Sequence, residues 1–330
     1  MDLRAARMTA QALTRPLPTA REVVAHLVGV QAQSPWVAPY VIRPRLAAGA
    51  ELAPLDVVRT WVMRGTLHMV TSEDAGWLVA LLGPVFAAKT RPRRLQLGLT
   101  DELLARATAA VARALPATRD ELLAVAASVG VPKGQARAHL LSHLCMSGRA
   151  CLDGTESELF VPLPTGVSPA EPLTELASRF LHAHGPANAE DFASWSGLPL
   201  GKARAVIPER APEPVTDPVP RVRLLGHLDP YLLAYRDRAF ALDPARSGAV
   251  QRGGGFLQPV VVVDGRVAGT WSRTPKARRL EVTVDAFDAV PGDALAAELD
   301  ALGTAFDLPV SLVRPPAATS ARDDQGHGRA

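Results

Sequence analysis

The chain has 330 residues, 48% hydrophobic and 21% charged, the balance of a globular protein with ample apolar surface to bury. Its net charge of +3 and its abundant Leu, Val and Ile exclude a disordered polymer, and no apolar run reaches the roughly 18 residues of a membrane span. Two cysteines cannot form a disulfide scaffold, and Met1-Asp2-Leu3-Arg4 lacks the apolar stretch of a secretion signal, so a reducing cytosol is expected.

Thr19 to Val30 carries Val23, Val24, Leu27 and Val28 at helical spacing. Pro35 and Pro39 then break regularity. Leu55 to Met63 reads as an apolar helix, and Gly65 to Val70 as a short strand. Thr71-Ser72-Glu73-Asp74 offers a cap and early carboxylates for a helix that follows.

A second unit begins with a helix over 101–115. Thr118-Arg119-Asp120-Glu121 is a capping box for a helix ending at Gly130. Gly134 to Cys145 is a third helix, and 150–152 and 159–161 pair as strands around Gly154. Three helices and a two-stranded ribbon make a winged helix-turn-helix. A third unit repeats the theme, with helices over 173–183, after Asn188 to about Gly197, and 198–206. Leu115-Pro116-Ala117-Thr118 is weakly echoed by Gly185-Pro186-Ala187-Asn188, and more faintly by Leu17-Pro18-Thr19.

The Pro-rich stretch 211–224 reads as a linker. Beyond it, Phe256 to Val263, a turn at Asp264-Gly265, and Arg266 to Trp271 give the strongest hairpin signal in the chain. A strand over 279–284 and a helix over 289–302 follow, and the tail 313–330 is expected to be disordered. The fold class is mainly α with small β elements, an α+β chain of three tandem winged-helix motifs. The expected divisions are 1–100, 101–170, 171–220, and a β-rich segment, 221–312, completing the third unit. An all-α bundle with irregular loops is the alternative.

Charge is segregated. Residues 1–100 carry a net +6 and 221–280 a net +7, whereas 101–220 carry −4 and 281–330 carry −6. Basic blocks suit a polyanion partner, although Arg-rich composition and solvated faces give the same pattern.

The familiar catalytic signatures, a Gly-rich phosphate loop, His-Glu-x-x-His and Cys-x-x-Cys, are missing. His139 and His143, near Cys145 and Cys151, fit no common zinc spacing, so core packing or phosphate contact is the better reading and no metal or other cofactor is expected. The unusual feature is Val30-Gln31-Ala32-Gln33-Ser34-Pro35-Trp36. In extended chain the two Gln side chains point the same way. Polar capping of the preceding helix is the plainer explanation.

That string, together with Arg59 to Val70 and its core Met63-Arg64-Gly65-Thr66-Leu67-His68, resembles the winged-helix family of bacterial DNA glycosylases. Further matches are Gly185-Pro186, Asp191 to Gly197, Leu228 to Leu233, and Gly253 to Trp271. The Gln-x-Gln pair sides with the azinomycin-resistance branch. The resemblance implies a C-shaped molecule with a concave basic cleft for duplex DNA. It also implies catalysis by Gln31 and Gln33 and a β-hairpin in the cleft, for which Asp264, Gly265 and Arg266 are the candidate. His227 departs from the apolar or aromatic residue expected there.

The implied reaction is monofunctional hydrolysis of N7-alkylguanine, from bulky adducts or interstrand crosslinks of genotoxic natural products, in repair and self-resistance. An alkylated base is already a good leaving group, so two amides that position a water suffice. A Schiff-base mechanism is not expected, because Lys89, Lys133, Lys202 and Lys276 all lie far from the Gln pair in sequence. Arg64 and His68 either face DNA or serve the fold. Arg236 and Arg238 are candidates for phosphate, and Arg273, Lys276, Arg278 and Arg279 form a phosphate strip or a solvated loop. Trp36 and Trp61 either wedge at a lesion or, as Trp more often does, lie buried. The expected partner is double-stranded DNA carrying alkylated guanine, bound by a monomer on the cytoplasmic nucleoid. A non-catalytic winged-helix regulator is the rival.

Overall fold

The computed structural model describes residues 2–34, 36–208, 216–253 and 256–313. The expected disordered tail from 314, most of the Pro-rich stretch before 216, and Gly254-Gly255 of the glycine run lie outside the described residues.

The chain is a mixed α/β protein. Helices α1 (Leu3–Ala10) and α2 (Ala20–His26) come first, then the short strand β1 (Val30–Gln31) and helix α3 (Ala38–Ile42). Strands β2 (Val57–Trp61) and β3 (Leu67–Thr71) lead into the long helix α4 (Ser72–Gln96). Next come α5 (Asp101–Arg113), β4 (Ala117–Thr118), α6 (Arg119–Ser128), α7 (Gln135–Met146), β5 (Ala150–Asp153) and β6 (Leu159–Pro162). Helices α8 (Pro172–His184), α9 (Ala189–Ser196) and α10 (Leu200–Val206) follow. The last part is β7 (Val222–Leu225), α11 (Pro230–Leu233), α12 (Ser247–Val250), β8 (Val260–Val263), β9 (Arg266–Lys276), β10 (Arg279–Ala286), α13 (Gly292–Phe306) and β11 (Val310–Val313).

Local signals hold where the physics is local. Thr19 with Glu22, Thr118 with Glu121, and Asn188 with Asp191 form three capping boxes, opening α2, α6 and α9. Thr71 caps α4 as expected.

Three expectations fail. The segment 55–63 is not a helix: Val57–Trp61 is the strand β2, between β3 and β5. A short apolar run does not declare its own period, and here strand partners on both sides decide it. The expected linker ends early, because Val222–Leu225 is the edge strand β7, paired with β8. Finally, β-structure is more extensive than small ribbons. Strands β1 to β3 and β4 to β6 join through Val58–Asp153 and Arg59–Leu152 into one six-stranded sheet, in the order β1-β3-β2-β5-β6-β4. The second sheet has the order β11-β10-β9-β8-β7, and its parallel edge strand β11 was not anticipated.

The largest core forms where α4 meets α8, α9 and α10, through Trp77, Leu82, Phe86, Phe180, Phe192 and Trp195. Helices α4 and α7 cross so closely that a Cβ on Gly83 would stand 2.0 Å from the Met146 carbonyl oxygen. A buried ion pair fixes the C-terminal part against the N-terminal part. Arg45 is fully buried and meets Asp229 in two bonds of 2.7 and 2.9 Å, with further bonds to Gln11 and the Val41 carbonyl. Asp229 also caps α11, and the Tyr231 hydroxyl donates to the Gly265 carbonyl. The Leu228-Asp229-Pro230-Tyr231 string is therefore core.

Candidate active site

Strand β1 places Gln31 opposite His68 on β3. The ladder continues one residue further, the Ala32 amide donating to the Leu67 carbonyl at 2.9 Å. Val30 and Ala32 are buried, Gln31 is half-buried and Gln33 is exposed. This alternation sends both Gln side chains to the side away from the core. The plain capping role for the pair does not hold, since α2 ends at His26 and Val28-Gly29 turns the chain with positive φ.

Gln31 is held. The Arg64 guanidinium donates to Gln31 Oε1 at 2.8 Å and to the Trp195 carbonyl at 2.7 Å. A guanidinium only donates, so the contact assigns the amide orientation: oxygen toward Arg64, with one lone pair to spare. Arg64 reaches it from a left-handed backbone, φ 57°, in the turn between β2 and β3. Its Cα lies so close to Gly197 that a Cβ on that glycine would come within 2.8 Å. Burial lowers the Arg64 pKa to about 10, and the charge of Arg238 adds to the effect. No carboxylate pairs with either arginine among the described residues. Arg238 is half-buried, with its Nε donating to the Leu232 carbonyl at 2.8 Å.

His68 is buried and neutral. Burial drives its pKa to about 3, helped by Arg64 and opposed by its bond to the Thr66 carbonyl, to which Nδ1–H donates at 2.9 Å. Gln33 has no hydrogen-bond partner among the described residues, so its amide is free to meet solvent. The site thus contains two neutral amides and a buried cation, and among the described residues no carboxylate acts on Arg64 or His68. Such a set can orient a water but cannot deprotonate it strongly.

Lysine enters in a way the sequence hid. Lys89 Nζ donates at 2.7 Å to the carbonyl of Gly197, the residue packed on Arg64. Distance along the chain therefore does not keep this amine away from the site.

The other candidates separate. Trp36 is not buried core: it is 43% exposed. Its ring meets His227 edge-on at 5.2 Å and lies 5.1 Å from the Arg273 guanidinium, which also stacks 4.1 Å over Tyr40. These groups and Trp271 line a cavity of about 490 Å³. Sequence reasoning missed it, although the departure at His227 was its visible sign. Trp61 is half-buried against two cores. Arg236 is exposed, its backbone amide donating to Asp191.

The two hairpins differ. At Asp264-Gly265 both residues have positive φ, and the turn packs against Arg4 and Tyr231; Asp264 and Arg266 are exposed beside the buried Gly265. The β9–β10 hairpin instead projects, with every residue from Thr274 to Arg279 exposed. Lys276 and Arg279 share Glu281, whereas Arg278, at the tip, has no partner among the described residues. His139 and His143 join no cluster able to hold a metal among the described residues.

A family model described as DNA glycosylase AlkZ-like matches residues 24–307. An interstrand DNA cross-link repair glycosylase from Streptomyces sahachiroi is 30% identical, with 78% of this chain and 83% of that protein covered. The solved structure of the Streptomyces sahachiroi DNA glycosylase AlkZ superposes with a TM-score of 0.77 at 29% identity, covering 94% of this chain and 98% of that one.

Proposed function

Because the chain belongs to the AlkZ-like DNA glycosylase family, we propose that it hydrolyses the N-glycosidic bond of N7-alkylguanine in double-stranded DNA, with Gln31 and Gln33 positioning the attacking water. Family membership makes it an enzyme and removes the non-catalytic regulator. The observation that carries the residue assignment is an amide on the open side of β1, Gln31, locked by Arg64, with a second, exposed amide, Gln33, in the bend just beyond the strand.

The chemistry follows from the leaving group. In N7-alkylguanine the C1′–N9 bond breaks with its electron pair going to the base, which becomes neutral. A water oxygen bonds to C1′, and its proton passes to solvent. The base needs no protonation, so a neutral amide suffices where a simple purine would need an acid. Carbonyl oxygens of Gln31 and Gln33 accept from the water and face the growing positive charge of the sugar. The Arg64 guanidinium donates to Gln31 Oε1, so the remaining lone pair of that oxygen is the one offered to the water.

Three capping boxes, each opening the second helix of a unit, support three tandem winged-helix units divided as the sequence suggests, around a concave DNA-binding face. The projecting β9–β10 hairpin, rather than the buttressed Asp264–Arg266 turn, is then the one that reaches DNA, with Lys276, Arg278 and Arg279 toward phosphate. Arg236, Arg238 and Arg273 would extend the same strip. A monomer acting on the nucleoid fits this reading. Among the described residues no helix is long and apolar enough to cross a membrane. The relative named for cross-link repair makes crosslinks and bulky natural-product adducts the substrates to try first.

Duplexes carrying N7-methylguanine, a bulky N7 adduct or an N7 interstrand crosslink test the proposal. Release of free alkylguanine is expected, with no borohydride-trapped adduct on abasic DNA. A trapped adduct lost on Lys89→Ala would replace the water mechanism with a lyase one, and binding without release from any of the duplexes would refute the proposed reaction.

A further inference from the structure

We propose that the C-terminal end of α9, with Gly197 at its close and Lys89 as its tether, is the element that aims the Gln31 amide, which makes Gly197 and Lys89 positioning residues of the reaction. The proposal rests on the assignment of Gln31 to the attacking water and names what else in the chain that amide requires.

Arg64 takes hold of Gln31 from a left-handed backbone, φ 57° and ψ 8°, which a residue with a side chain keeps only where its surroundings enforce it. Its guanidinium spans two neutral acceptors, Gln31 Oε1 and the Trp195 carbonyl. Of the two, only the carbonyl is fixed by backbone. Trp195 lies in the last turn of α9, where carbonyls lack partners within the helix. Four residues on stands Pro199, which has no N–H, and the Leu198 amide donates instead to Ser196 Oγ at 3.2 Å. The Trp195 carbonyl is thereby left for Arg64, across 131 positions of sequence.

Gly197 lets the two backbones meet. It ends α9 at φ 76°, with its amide donating to the Ala193 carbonyl at 2.9 Å. A Cβ there would stand 2.8 Å from Arg64 Cα and 2.9 Å from Phe86 Cζ, so a side chain has to push the Arg64 turn off α9. The guanidinium can then no longer reach both acceptors in the same geometry. Lys89, one turn along α4 from Phe86, donates from Nζ to the Gly197 carbonyl at 2.7 Å and sits 5.1 Å from the Phe86 ring. It pins the end of α9 against α4, and Gly65 of the Arg64 turn packs on the same Phe86. The aim of Gln31 is therefore set by α4 and α9 together, through one guanidinium.

Gly197→Ala and Lys89→Met are each made alone and on top of Arg64→Ala, and release of N7-methylguanine from duplex DNA is measured per folded molecule. Lys89 is exposed, so Lys89→Met leaves the core intact and decides by itself if Gly197→Ala does not fold. We expect Gly197→Ala to lower kcat about tenfold and Lys89→Met about fivefold, with KM held within about twofold. On Arg64→Ala neither lowers kcat further by more than about twofold, because both act through that guanidinium. An unchanged kcat in either folded variant overturns the proposal. A loss that persists in full on Arg64→Ala overturns it too, and is what a nucleophilic Lys89 would give. If the unaltered chain releases no base, or Gln31→Ala releases it undiminished, the catalytic assignment has failed and NMR decides alone. The Gln31 side-chain NH₂ resonance, identified by its absence in Gln31→Ala, must then move in Arg64→Ala and in Lys89→Met, and one that stays in place in Lys89→Met overturns the aiming role.

Discussion

At the scale of single residues, the Arg64 guanidinium spans Gln31 Oε1 at 2.8 Å and the Trp195 carbonyl at 2.7 Å, and so fixes which way the Gln31 amide faces. Two Gln at i and i+2 beside a Pro-Trp bend stand out in the sequence, and the resemblance gives them a role. That Arg64 holds Gln31 is invisible there, because the contact needs the left-handed turn at Arg64 and the pairing of β1 with β3. We expect Arg64→Ala to lower kcat by about ten- to a hundredfold with little change in KM, since a freed amide loses its aim. Arg64→Lys keeps the charge without the fork, so it should not restore the rate. A purely structural role would instead reduce stability and leave the rate per folded molecule intact. His68, by contrast, is no general base awaiting a proton. With a pKa near 3 and two amides that do not titrate, kcat should be flat from about pH 6 to 8.5. Stability behaves differently. His68 and His184, both held near 3, stay neutral in the folded chain while the unfolded chain protonates them below about 6.5. The folded state therefore binds fewer protons, and stability falls as pH drops from 6.5 toward 3. The loss reaches about 2 kcal/mol for each histidine at pH 5, visible as a falling Tm.

Elements were legible where a few adjacent residues decide them. Thr118 with Glu121 and Asn188 with Asp191 mark their helices without help from the rest of the fold. Val57–Trp61 was not, because its identity as a strand comes from β3 and β5, and β11 was hidden because its partner β10 lies a whole helix earlier. The two hairpins show that a strong local turn signal need not mark the element that projects. Asp264-Gly265 is the better turn sequence, yet its tip is wedged against Arg4 and Tyr231. Gly265→Ala should cost about 1–3 kcal/mol, from a positive φ and a Cβ forced to 2.9 Å from Arg4 Cβ, with excision per folded molecule retained. The β9–β10 tip should affect binding instead. Arg278→Ala is expected to lower the slope of log affinity against log salt by about one, the signature of one lost phosphate contact. An unchanged slope would assign that tip to solvent.

Across the whole molecule, the net charge of +3 conceals two basic blocks that meet. Arg64 belongs to the first and Arg238 to the second, and each lacks a carboxylate partner among the described residues while Arg238 depresses the pKa of Arg64. Arg273 of the second block stacks on Trp36 and Tyr40 of the first. The buried Arg45–Asp229 pair, with both side chains almost without exposure, ties the same two regions together. Asp229→Ala should therefore destabilise by about 3–5 kcal/mol, leaving Arg45 charged and unpaired in the core. Composition announced the blocks but not their meeting, which depends on contacts nearly 200 residues apart. The central claim is that this meeting point works through two neutral amides. The measurement that tests it most directly is single-turnover release of N7-methylguanine from duplex DNA by the Gln31→Ala/Gln33→Ala double variant, with DNA affinity measured in parallel. The account predicts release slowed by at least about a hundredfold with affinity retained, and release at the unaltered rate would contradict it.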